Sequence, residues 1–133
     1  GVKNVTLTGG EPLLREGIEE VIKGLADNNL NVEIETNGSI PLDNIRGLHK
    51  DNVTFTMDYK LSCSGMEQAM RLDNFSILNA NDTVKFVAGC REDLVRTKQI
   101  IEIVEFMKDN TMNDVNMQIQ LHKIIWAPDK RGV

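Results

Sequence analysis

The hydrophobic pattern of this chain changes period again and again, and few architectures survive that alternation. Val5 and Leu7 alternate with Asn4, Thr6 and Thr8, and Val32 and Ile34 alternate within residues 31–36. Val53, Phe55 and Met57 mark a third such stretch ending at Asp58, and Val84, Phe86 and Ala88 a fourth ending at Gly89. Val115, Met117, Ile119 and Leu121 alternate with Asn116, Gln118 and Gln120 in a fifth. A period of two turns one side of an extended strand toward a core. Between the strands the period lengthens. Leu14, Ile18, Val21, Ile22 and Leu25 predict a helix from about Pro12 to Asp27, with proline in its first turn and Asn28-Asn29 as its stop. Leu42, Ile45 and Leu48 predict a short helix, and Glu92 to Asp109 a long one. The stretch from Ser62 to Asn81 is irregular, with a short helix expected around Glu67–Arg71, and Ile124 to Val133 reads as a loop or arm. Strands alternating with helices specify an α/β domain with a mainly parallel sheet. Right-handed crossovers place every strand's C-terminal end on one edge, where ligands gather in barrels and open sheets alike.

The chain's 133 residues suffice for one domain with a core. Fifteen Lys and Arg against twenty Asp and Glu leave a formal charge of −5, which argues against a nucleic-acid partner. No apolar run reaches membrane-span length, and no basic-then-apolar leader opens the sequence, so a cytoplasmic protein without a membrane partner is expected. The two cysteines, Cys63 and Cys90, exclude a disulfide framework, a four-cysteine zinc site and an all-cysteine iron–sulfur cluster built from these residues alone. They read as ordinary thiols.

Polar residues collect at the strand ends: Thr8-Gly9-Gly10-Glu11, Glu35-Thr36-Asn37-Gly38, Asp58-Tyr59-Lys60, Gly89-Cys90-Arg91 and His122-Lys123. Paired glycines let a backbone turn sharply and approach a ligand. A carboxylate beside exposed carbonyls suits an ammonium group, whereas a phosphate cradle needs N–H groups without an adjacent acid. Glu11 thus argues against a phosphate loop, although a strand-to-helix turn capped by Glu11 would use the same residues. Glu35 points opposite to Ile34 and is either a ligand acceptor or a solvated acid. Asp58 and Lys60 could form an ion pair, or Lys60 could hold a ligand carboxylate. Ser62, Cys63 and Ser64 are small enough for close ligand approach or for an ordinary turn. His122 reads as structural, His49 as a helix cap, and Trp126 as a packing or dimer contact.

The run Val5-Thr6-Leu7-Thr8-Gly9-Gly10-Glu11-Pro12-Leu13-Leu14 resembles the segment that binds the S-adenosylmethionine amino group in radical SAM enzymes. Within that superfamily the chain is most similar to the 7-carboxy-7-deazaguanine synthases. Ile34 to Gly38, Asp58 to Met66, Val84 to Val87 and Gln120 to Lys123 carry that similarity across most of its length. The resemblance implies a partial (β/α) barrel and a carbon–nitrogen lyase of queuosine biosynthesis. That enzyme converts 6-carboxy-5,6,7,8-tetrahydropterin to 7-carboxy-7-deazaguanine with loss of ammonia. It also implies a [4Fe–4S] cluster, S-adenosylmethionine, Mg²⁺ and a homodimer. Carried over by motif, Thr8 and Pro128 would contact the pterin substrate, and Glu35 the substrate or the cofactor. Gly10 and Glu11 would lie at the amino group of S-adenosylmethionine and Asp58, Tyr59 and Lys60 on its adenosyl side, with Gly9, Ser62 and Ser64 also binding this cofactor. Relatives often carry Ser-Pro-Lys where this chain has Asp58-Tyr59-Lys60.

Two departures stand out. The family's Cys-x₃-Cys-x₂-Cys motif precedes the Gly-Gly-Glu-Pro segment, whereas here no cysteine precedes Thr8. Relatives also have a further strand and a cofactor-contacting loop near the position of Glu102-Ile103, where this sequence passes from one helical pattern to another. Residues 1–133 are therefore expected to be one partial barrel domain, part of a longer polypeptide, without cluster or magnesium ligands and inactive alone. Two rival readings are a radical SAM activase of a glycyl-radical partner and a non-catalytic α/β nucleotide-binding module. The first needs a protein-docking groove, and the second folds cooperatively without iron.

Overall fold

A computed structural model describes residues 1–48, 51–108 and 116–120. Five strands, β1 (Asn4–Leu7), β2 (Asn31–Thr36), β3 (Val53–Lys60), β4 (Thr83–Val87) and β5 (Asn116–Gln120), form one sheet in sequence order. Every neighbouring pair is parallel, with Leu7 opposite Ile34, Ile34 opposite Phe55, Tyr59 opposite Phe86 and Phe86 opposite Ile119. Among the described residues the sheet does not close, β1 and β5 are its edges, and the architecture is a partial β/α barrel.

The period-two pattern sorts the two faces. Val32, Ile34, Phe55, Met57, Tyr59, Val84 and Phe86 are buried on one face. They form a single core with Ile22 and Ala26 of α1 (Ile18–Asp27), Ile45 of α2 (Asp43–Leu48) and Ile100 of α3 (Arg91–Lys108). Thr6, Glu33, Glu35, Thr56, Asp58, Lys60 and Lys85 occupy the alternate positions and give the other face a polar lining. Burial of the apolar face is the main stabilising term, at about 25 cal/mol per Å².

Buried polar groups tie loops to this core. Asp82, fully buried, accepts the Phe55 N–H at 2.8 Å and the Asn79 N–H at 2.8 Å, and it forms an ion pair with Arg46. The Arg46 guanidinium also lies over the Phe55 ring, 4.7 Å from its centroid. Asn74 donates to the Gly38 and Ile40 carbonyls and accepts the Leu42 N–H, closing the loop after β2.

Several boundaries differ from the sequence expectation. The helix expected over Pro12 to Asp27 is broken into a 3-10 turn, Pro12–Leu14, and α1. Arg15 turns extended at ψ 129°, and Gly17, at φ +76°, re-enters the helix through a left-handed conformation that favours glycine. β3 does not stop at Asp58 but runs on to Lys60, because Asp58, Tyr59 and Lys60 continue its pairing with β4. The single short helix around Glu67–Arg71 is instead three 3-10 turns, Ser62–Ser64, Glu67–Ala69 and Leu72–Ser76. Cys63 and Cys90 are not free thiols: a disulfide joins them, with their Cα atoms 6.3 Å apart. His49, His122, Lys123, Trp126 and Pro128 lie outside the described residues.

Candidate functional site

At the C-terminal edge of the sheet, Thr8, Gly10, Glu11, Glu35, Thr36, Asn37, Asp58 and Lys60 line an open cavity of about 470 Å³. The fold brings them together by register. Thr8 follows β1, Glu35 and Thr36 end β2, Asp58 and Lys60 end β3, and parallel pairing puts these ends on one edge. Gly9 and Gly10, at φ +95° and +62°, turn the chain away from β1 beside the cavity. A Cβ at either position would meet no atom within 4 Å, so the glycines serve the turn and leave open space over it.

Among the described residues the polar face carries three separate groups of hydrogen bonds and ion pairs. The Thr8 hydroxyl donates to Glu35 Oε2 at 2.8 Å, and Lys85 Nζ lies 3.7 Å from Glu35 Oε1. One layer deeper, Glu33 accepts from Thr6 at 3.1 Å and from Thr56 at 2.7 Å. Lys60 pairs with Asp58 at 3.3 Å, as the sequence suggested for these two residues. Both charge signs therefore face the same space, which suits a ligand carrying an ammonium and a carboxylate.

Glu11 has a different place. It is 9% exposed, and its carboxylate accepts the Leu13 N–H at 3.1 Å, the Asn37 N–H at 2.6 Å and the Thr36 hydroxyl at 2.9 Å. The capped strand-to-helix turn thus exists as described from the sequence, and it also fastens that turn to the end of β2. Tyr59 faces away from Asp58 and Lys60. It packs in the core against Phe75 and Phe86, with ring centroids 5.8 and 5.5 Å away. Burial pushes the Tyr59 hydroxyl above the ordinary phenol range; Glu67 adds to that shift and Arg96 opposes it. Ser62 and Ser64 are exposed on the turn after β3, outside the main cavity, and Ser62 lines a smaller one with Gly65, Glu67 and Gln68.

Sequence reasoning gave Lys85 no role. Its alternation with Val84 and Phe86 was the available signal, since it places Lys85 on the polar face beside Glu35. Among the described residues, Cys63, Cys90 and Glu92 bring possible metal-ligating atoms within 4.8 Å of one another, but the two sulfurs are bonded to each other. The family's three-thiolate cluster does not fit a chain with two cysteines that pair together.

No family model matches the chain. A 7-carboxy-7-deazaguanine synthase of Clostridium acetobutylicum is 49% identical over an alignment of 157 residues, which takes in 100% of this chain and 71% of that protein. A 7-carboxy-7-deazaguanine synthase of Leptospira interrogans is 32% identical, over 97% of this chain and 66% of that protein. A GTP 3',8-cyclase of Clostridium perfringens is 32% identical over 88% of this chain, but only 36% of that protein is covered. Identity across the whole chain, on a fold that gathers the motif residues at one sheet edge, decides the assignment: the chain belongs to the 7-carboxy-7-deazaguanine synthase family.

Proposed function

We propose that this chain is the substrate- and cofactor-facing part of a radical SAM 7-carboxy-7-deazaguanine synthase. The reaction is conversion of 6-carboxy-5,6,7,8-tetrahydropterin to 7-carboxy-7-deazaguanine with loss of ammonia, a lyase step of queuosine biosynthesis. The 49% identity over the whole chain carries this reading. The polar cavity at the strand ends supports it, because Thr8, Gly10, Glu11, Glu35, Asp58 and Lys60 of its lining are residues that the motif resemblance assigns to ligand contact.

S-adenosylmethionine, when bound, would supply the radical that takes a substrate hydrogen. This chain's residues fit its amino-acid end. Gly9 and Gly10 leave backbone open beside the cavity, and Asp58 and Lys60 present both charge signs there. The Thr8–Glu35 hydrogen bond fixes the carboxylate, and Lys85 balances its charge, so that a neutral donor on the pterin meets an oriented acceptor. Glu11 holds the glycine turn against β2 and positions rather than reacts. Water exclusion and orientation are the protein's share of such cofactor chemistry. The chain's own residues do not fit the iron–sulfur cluster, whose three thiolates exceed the two cysteines present. Mg²⁺, a homodimeric assembly and a cytoplasmic location belong to the same reading. Inactivity of residues 1–133 alone follows from the two-cysteine count.

The test is turnover by the complete gene product after anaerobic cluster reconstitution, with the carboxylated pterin and GTP offered separately. Mass-spectrometric detection of 7-carboxy-7-deazaguanine from the pterin supports the reading. Turnover of GTP alone would replace it with cyclase chemistry, which the similarity to the C. perfringens enzyme makes the relevant comparison. The alignment of 157 residues against a chain of 133 means that the Clostridium acetobutylicum relative carries additional residues inside the matched region. We place that difference near Glu102-Ile103, within α3. A peptide map showing Glu102 joined directly to Ile103 would establish that this protein lacks them there, and a bridging peptide that it does not.

A further inference from the structure

We propose that Cys63 and Cys90 form a reversible dithiol–disulfide site at the C-terminal edge of the sheet, served by low-molecular-weight thiols and disulfides. The sheet register itself delivers them. Lys60 pairs with Val87, and each cysteine follows its strand by the same number of residues, so both stand at one level on neighbouring loops. A buried acid then holds the loops together independently of any bond between the sulfurs. Asp93, fully buried, accepts the Cys63 N–H at 3.1 Å and the Gly89 N–H at 2.8 Å. The loops lie side by side there, since a Cβ built on Gly89 would stand in ordinary contact with Cys63 Cβ, 3.7 Å away. The Cα separation of 6.3 Å lies within the range that a disulfide spans. With the loops pinned by Asp93, breaking the bond leaves two thiols still within reach of each other, which is what a reversible pair needs.

Access is asymmetric. Cys63 is exposed and Cys90 half-buried, and Cys90 immediately precedes α3, whose N-terminal N–H groups favour negative charge beside them. Oxidation therefore begins at Cys63. Its thiolate attacks a small disulfide, forming a mixed disulfide and releasing one small thiolate. The Cys90 thiolate then attacks the Cys63 sulfur and releases the second. The two protein thiols are oxidised, one small disulfide is reduced to two small thiols, and the two cysteine protons are taken up by those thiolates. Reduction runs the same exchange backwards. The bond fastens the Ser62–Ser64 turn to the start of α3, so the two redox states differ in how firmly that turn is held.

The experiment uses the complete protein, equilibrated in glutathione buffers of stepped ratio, trapped with N-ethylmaleimide and mapped by peptide mass spectrometry. Mapping assigns the sulfurs whatever other cysteines the full chain carries. The expected result is a Cys63–Cys90 crosslinked peptide in oxidising buffers and both residues alkylated in reducing ones, passing through a single transition. Tm should be about 10 °C higher in the oxidised state, as expected for a crosslink closing a loop of this length. In Cys63→Ser that difference should vanish. Asp93→Asn should move the transition by about tenfold toward more oxidising ratios, because it weakens the pin without touching sulfur. Alkylation of both residues at every ratio would overturn the proposal, as would a crosslink that no thiol reduces. Retention of one zinc ion by Cys63, Cys90 and Glu92 in place of a disulfide would also overturn it.

Discussion

The Thr36 hydroxyl donates to the Glu11 carboxylate at 2.9 Å, joining the glycine turn after β1 to the last residue of β2. The same carboxylate takes two backbone N–H groups, so one side chain shapes the cavity wall without facing open solvent. Glu11→Ala should destabilise the complete protein by about 2–3 kcal/mol, since it strands buried donors that a charged acceptor now serves. Glu11→Gln should cost less, because the amide oxygen still accepts. Urea unfolding with an unchanged m-value checks both. Equal losses for Ala and Gln would show that charge rather than hydrogen bonding holds the turn.

Asp82 is fully buried between two backbone donors and Arg46. Removing one member of a buried ion pair leaves the other uncompensated, at a cost of about 3–5 kcal/mol. Asp82→Ala should therefore unfold more readily than any surface substitution in the chain. The Asp82→Ala, Arg46→Met double variant should recover part of the loss. Denaturation midpoints of the four proteins in that cycle measure the coupling.

Thr8 is exposed and Glu35 half-buried on the polar face, outside the apolar core, so their substitution should be read in kinetics rather than in stability. Thr8→Val removes the 2.8 Å hydrogen bond that orients Glu35. Under the proposed function kcat/KM for the pterin should fall about tenfold, the equivalent of one lost hydrogen bond, while Tm stays nearly unchanged. Glu35→Gln should fall further, since it also frees Lys85. Steady-state kinetics of the reconstituted enzyme decide this. An unchanged kcat/KM in both would place the substrate elsewhere.

Tyr59 makes a prediction about alkaline stability. Burial is the main cause of its raised pKa, so the folded state holds the phenol proton to higher pH than the unfolded chain does. Above about pH 10 the unfolded state binds fewer protons, and stability falls with rising pH until the folded-state pKa is passed. Tyr59→Phe should flatten that part of the stability–pH curve and leave the neutral region nearly unchanged. Denaturation midpoints from pH 8 to pH 11 test it, and parallel curves for the two proteins would contradict it.

Five alternating stretches and the helical periods between them made the α/β class legible without coordinates. The same alternation separated Glu35 from Ile34 and put the motif residues at strand ends, because side-chain direction along a strand is a local property. The break at Gly17 was hidden, since hydrophobic spacing continues across it while the backbone does not. Tyr59 read as part of a polar strand end, yet the strand ran on, and its own parity turned that ring into the core.

What the sequence determined by itself is the period of each element, the polar strand ends and the family that those ends resemble. What only the tertiary structure decided is which distant residues share a place. Glu11 with Thr36, Arg46 with Asp82, Glu35 with Lys85, and Cys63 with Cys90 are each set by strand order and register. Those pairings depend on how separate segments bury a common apolar face, and no local pattern of residues encodes that sum.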